Sequence, residues 1–180
     1  MKKISILVIT TLLISSCSSS TQESSLGFVP GCDQIKLLDT ADKSTLMPCL
    51  DGSGSINFHQ LKGPMVINVW GSWCEGCKEE MPYFVDLYKT KEFESGQIQL
   101  LGINVEESST DDAIQYIKNS GMSWPHLEDQ DGISKSIFGP GVPVTWFVNE
   151  AGENVGTKIG AYTNKDQLFK QVEKAFGIKL

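Results

Sequence analysis

Arginine is absent from this chain: all 15 cationic side chains are lysines. Without a guanidinium group there is no planar fork to grip phosphates or base edges in pairs, so nucleic-acid binding is not expected. Histidine is nearly absent too. His59 and His126 stand alone, with no partner at metal-ligand spacing, and read as ordinary polar residues. Met47, Met65, Met81 and Met122 are scattered and read as packing rather than a copper-binding set. No internal repeat is visible. The longest apolar run, 4–14, is too short to span a bilayer. What remains is 180 residues, 40% hydrophobic and 21% charged, which excludes disorder and collagen for the chain as a whole. The net charge of −7 favours solubility and says little about a partner.

The first residues read as an address. Lys2 and Lys3 precede the apolar run, which ends in Ile14-Ser15-Ser16-Cys17. Two small residues directly before a cysteine resemble the lipobox of bacterial lipoproteins, in which the cysteine is lipidated and becomes the mature N-terminus. The expected organisation is a signal peptide over 1–16, lipidation at Cys17 and a tether over 17–31, serine-rich in 18–25. A folded domain over 32–180 follows, with an N-terminal extension in 32–55. The anchor would hold that domain against a cell membrane on its extracytoplasmic side.

Disulfides persist in that compartment, and four cysteines remain once Cys17 is set aside. Four cysteines allow three pairings. Cys74-Glu75-Gly76-Cys77 is a CxxC motif, whereas Cys32 and Cys49 lie ahead of the core. The preferred division is a structural Cys32–Cys49 staple and a redox pair Cys74/Cys77. A four-cysteine zinc site would need a second tight pair or nearby histidines, and neither is present.

Hydrophobic patterning supports a core of alternating strands and helices. Residues 65–70 form a largely apolar, β-branched run suited to a strand buried on both faces. From Cys74 the spacing turns helical, with Cys77, Met81, Phe84 and Tyr88 recurring at intervals of three and four. Residues 98–105 read as a second buried strand and 111–118 as a helix stopping at Gly121; 124–127 reads as a strand and 133–138 as a short helix. A hairpin over 144–148 and 155–159 precedes a last helix capped by Asn164. Near the N-terminus, the apolar runs 35–38 and 46–50 suggest a small hairpin, with a turn at 51–54.

The CxxC falls directly after the first buried strand and opens the next helix, the setting in which it does redox chemistry. The run Val69-Trp70-Gly71-Ser72-Trp73-Cys74-Glu75-Gly76-Cys77-Lys78-Glu79-Glu80-Met81-Pro82, with Gly141-Val142-Pro143-Val144-Thr145, resembles thioredoxin-fold proteins of the TlpA/ResA/CcmG type. The resemblance covers roughly residue 56 to the C-terminus. It implies an α/β thioredoxin fold: a mixed central sheet flanked by helices, with a helix-strand insertion over 111–127. It also implies a membrane-tethered thiol–disulfide oxidoreductase acting on protein substrates such as apocytochrome c and re-reduced by a membrane dithiol donor. The only redox group expected is the Cys74–Cys77 pair, without bound cofactor or metal. Family context further implies a cis Val142–Pro143 bond that leaves the Val142 backbone free to pair with a substrate chain. Gly76 departs from the usual proline, so redox poise does not carry over.

The residues themselves suggest roles. Cys74 at the helix start faces unpaired backbone N–H groups that favour its thiolate, which makes it the nucleophile. Cys77, one turn along, is placed to resolve the mixed disulfide. At about 100° per residue, Glu80 falls about 60° from Cys77 while Glu79 falls about 160° away. Glu79 is then a surface charge, and Glu80 a candidate proton partner of Cys77; its position also matches the active-site glutamate of ResA-like proteins. Trp70 and Trp73 are candidates for an apolar lip around the sulfurs. Glu75 beside the nucleophile disfavours a thiolate, pushing the couple toward the reducing side. A general envelope oxidase or reductase stays open as an alternative. So does a metal or haem chaperone that would use Cys74 and Cys77 as ligands.

Overall fold

The computed structural model describes residues 29–40 and 45–180. The expected signal peptide, Cys17 and the tether as far as residue 28 lie outside them.

The strand β3 (Met65–Trp70) is buried at all six positions, which explains why its sequence does not alternate between apolar and polar. Its side chains instead divide between two cores by the period of two. Val66 and Trp70 pack with the helices α1 (Glu75–Tyr88), α3 (Thr110–Ser120) and α5 (Lys165–Phe176). Met65, Ile67 and Val69 face the opposite way, toward the N-terminal extension and α4 (Ser134–Phe138). Parallel to β3 lies β4 (Gln99–Val105), which in turn carries parallel β5 (His126–Asp129). On the other side β6 (Val144–Val148) and β7 (Asn154–Ile159) run antiparallel. The order β5-β4-β3-β6-β7 is therefore a mixed sheet with β3 at its centre. The carboxyl end of the central strand, where chain and helix N-terminus meet, is where α/β sheets place their sites.

Two sequence expectations change. The N-terminal hairpin joins β1 (Leu46–Pro48) to β2 (Ser55–Asn57), not 35–38 to 46–50. The turn explains this: Gly52 and Gly54 take positive φ, which lets the chain reverse within a few residues, and short loops close at the lowest entropic cost. Leu37 instead bridges Leu61. The edge strand β5 begins at His126 rather than Trp124, because Pro125 has no N–H to give a ladder and the Trp124 ring is fully buried with the helices. It belongs with α3 to the inserted unit, whose helix is capped by the Ser109 side chain and ended by Gly121 at φ 72°.

Candidate active site at the carboxyl end of the central strand

Past Trp70 the chain must leave the sheet and start α1. Cys74 is the N-cap of that helix, with extended φ and ψ, and its Sγ accepts the Cys77 N–H at 3.1 Å. Cys74 and Cys77 are joined in a disulfide with Cα atoms 5.2 Å apart. Cys77 is fully buried while Cys74 keeps 5% of its surface, so an approaching sulfur meets Cys74 first.

One turn further, Glu80 is fully buried although it is a carboxyl, and Glu79 is exposed. Glu80 Oε1 accepts from Asn68 Nδ2 at 3.2 Å, and Oε2 accepts from the Tyr162 backbone N–H at 2.9 Å. Asn68 reaches it because it shares the Val66–Trp70 face of β3, which turns toward α1. Burial pushes the Glu80 pKa up to about 7, against the two hydrogen bonds and the charge of Lys158, which lower it. A carboxyl so placed can hold or release a proton near neutral pH. Asn68, Tyr162 and Lys158 were not foreseen. Asn68 left a trace as the one polar residue in an apolar strand; the other two left none.

The peptide bond Val142–Pro143 is cis, and Pro143 is buried with its carbonyl accepting from Gly160 N–H at 2.9 Å. Val142 is partly exposed beside it. Gly76 packs against this turn: a Cβ there would lie 3.5 Å from both Pro143 Cδ and Ala161 Cβ, an ordinary contact. Glycine is therefore not demanded by space at Gly76.

The two tryptophans part company. Trp73 is half exposed, with its indole N–H on the Val105 carbonyl at 3.2 Å. Gly71 makes this possible, since a Cβ there would fall 2.6 Å from the indole nitrogen. Trp70 is fully buried, with its ring 5.4 Å from Tyr116 and 5.5 Å from His126. It is core, not lip, because its strand face points under the helices. Ser72 is latched from outside: its N–H and its Oγ, the latter at 2.7 Å, donate to Glu107, which also accepts from Asn104 at 2.7 Å.

His126 is not an ordinary polar residue. It is fully buried among Trp70 and Trp124, and burial drives its pKa down to about 3. The four methionines are buried as packing. Away from the site, Cys32 and Cys49 form a second disulfide. With Asp51 they make the one metal-capable cluster among the described residues, but both sulfurs are spent in the bond.

This constellation places the chain among thioredoxin-fold proteins. The AhpC/TSA family pattern matches residues 39–153, and the chain belongs to that family. Among characterised relatives, the thiol-disulfide oxidoreductase ResA of Bacillus subtilis is 33% identical over 111 residues, covering 60% of each chain. The sporulation thiol-disulfide oxidoreductase A of the same organism is 27% identical over 153 residues, covering 83% of this chain and 90% of that one. The crystal structure of StoA from Bacillus subtilis superposes with a TM-score of 0.55 at 26% identity, over 71% of this chain and 93% of that one. The chain spans about three fifths of the length of the ResA relatives it matches first.

Proposed function

We propose that this chain is a membrane-anchored, extracytoplasmic thiol–disulfide oxidoreductase that reduces protein disulfides, apocytochrome c haem-site cysteines among them. The observation that carries the reading is one arrangement: the Cys74–Cys77 disulfide opens α1, a buried Glu80 lies one turn below, and Pro143 packs beside Gly76 between the two cysteines. In the reduced protein the Cys74 thiolate attacks a substrate disulfide, forming a mixed disulfide and releasing one substrate thiolate. Cys77 passes its proton to Glu80, then attacks the Cys74 sulfur. That frees the second substrate thiol and leaves the protein oxidised. Two electrons have moved to the substrate, and a dithiol donor at the membrane restores them. Trp73 and the Val142 backbone supply the docking edge. The relatives' names support the reaction class, and the arginine-free composition speaks against peroxide reduction. Anchoring rests on the lipobox at Cys17; among the described residues no helix is long and apolar enough to cross a membrane.

Direction is the finer question. Glu75 disfavours the adjacent thiolate, but Lys78 stands 3.6 Å from it and offsets part of that charge at the exposed surface. A reductase requires the couple to lie below about −200 mV, outside the range of strong dithiol oxidants. Equilibration with glutathione and thioredoxin buffers measures it. A potential near that of a strong oxidant would replace the reductase reading with the oxidase one. Copper titration of the reduced protein beside a disulfide-reduction assay separates both from a metal chaperone.

A further inference from the structure

Lys158 is on β7, and nothing in the exchange chemistry requires it. It is nonetheless half-buried, and its ammonium is saturated. Nζ donates to the carbonyl oxygens of Ile159, Gly160 and Ala161 at 2.8, 2.9 and 3.3 Å. All three of its donors are thus spent on one turn of backbone. The same ammonium stands 5.6 Å from the centre of the Tyr162 ring. Three carbonyl dipoles directed at one point repel one another unless a cation sits there.

The amides of that turn go to the redox site. Gly160 N–H donates to the Pro143 carbonyl, and Tyr162 N–H donates to Glu80 Oε2, both at 2.9 Å. The segment therefore grips the cis-proline turn and the buried carboxyl at once. We propose that Lys158 is a positioning residue for the redox site: it gathers the 159–161 carbonyls so that the Gly160 and Tyr162 amides stay on Pro143 and Glu80, and it lends the buried carboxyl a positive charge. Its consequence for turnover rests on the reading of Glu80 as the proton-exchanging group.

Apart from Lys158, the titratable groups that share charge with Glu80 are Tyr162 in the loop after β7 and Tyr116 on α3, and Cys77 on its own helix is held in the disulfide. None is a cation. Lys158 is the cation that lowers the Glu80 pKa against burial, so its loss lets Glu80 keep its proton to higher pH. Lys158→Met keeps the aliphatic stem and deletes charge and donors. Lys158→Arg keeps the charge.

The test is NMR on the full-length oxidised chain. The Tyr162 amide shift, followed against pH, reports ionisation of the carboxylate it touches, and hydrogen exchange at Gly160 and Tyr162 reports the turn. In Lys158→Met the Tyr162 titration midpoint should rise by about half a pH unit or more, and the two amides should exchange about tenfold faster. Lys158→Arg should leave both near wild type. If Lys158→Met does not fold, Lys158→Gln, which removes charge but retains two donors, should still raise the midpoint. Wild-type midpoint and exchange rates in the folded variant overturn the proposal. The Glu80 reading fails separately: an unchanged pH–rate profile of disulfide exchange in Glu80→Gln removes that residue from the reaction, while the Tyr162 readouts still decide the role of Lys158.

Discussion

The two disulfides are nearly equal in burial, with Cys32 and Cys49 4% and 5% exposed and Cys74 and Cys77 5% and 0%. Their surroundings differ in kind. Cys74–Cys77 spans three residues at a helix start, with a buried carboxyl one turn on and a half-exposed tryptophan beside it. Such a bond closes too short a loop to staple anything. Cys32–Cys49 spans 17 residues and sits in the apolar core on the other side of the sheet, where Cys49 also bridges Leu127 of β5. The bond closes the extension on itself, and the backbone bridge at Cys49 joins the extension to the sheet. Burial alone does not separate the proposed redox bond from the proposed staple; helix position, a neighbouring carboxyl and loop length do.

The comparison breaks most visibly at the cysteines themselves. Cys74→Ser should abolish turnover, and Cys77→Ser should accumulate a mixed disulfide with substrate through Cys74, seen by mass spectrometry of trapped species. Faster alkylation of Cys77 than of Cys74 in the reduced protein would reverse the two roles. Neither variant should cost much stability.

The opposite outcome is expected for the other pair. Replacing Cys32 and Cys49 together by alanine should lower unfolding free energy by roughly 3 kcal/mol on the chain-entropy account, read from urea midpoints. Turnover below the melting range should stay within about twofold, given the distance in function between a staple and a redox couple. A large loss of activity in the folded variant would join the two disulfides into one system.

A subtler contrast lies in two buried titratable groups on the helix face of the sheet. Glu80 has its pKa raised to about 7 from 4.5, so its contribution to stability is full below pH 4.5 and is lost as pH rises through 7. His126 has its pKa lowered to about 3 from 6.5, so its contribution is full above pH 6.5 and is lost as pH falls toward 3. Glu80→Gln should therefore gain on the wild type between pH 5 and pH 8, by up to about 3 kcal/mol, in paired urea titrations. Equal pH dependence in both proteins would show that Glu80 ionises as freely as in the unfolded chain.

Much of this was legible in the sequence because the forces are local. The run at β3, the i, i+4 spacing after Cys74, the stop at Gly121 and the cap at Asn164 are decided within a few residues. The same helical arithmetic separated buried Glu80 from exposed Glu79. The misreadings share a cause. Residues 35–38 had a strand's composition, but only the closed 49–54 turn decided that β1 would pair with β2. Trp70 and Trp73 look alike three positions apart, yet the face of β3 sends one under α3 and leaves the other on the rim.

By itself, then, the sequence determined the order of elements, the CxxC at a helix start and the side of that helix on which a carboxyl would be buried, since each follows from periodicity and spacing over about a dozen residues. Tertiary structure alone decided what that carboxyl meets. Tyr162 is 82 residues from Glu80, and Lys158 reaches the site only because β7 is added beyond β6 at the far edge of the sheet. Contacts that depend on closing such long loops have no local signature, and the pKa that governs the proposed proton transfer is set by them.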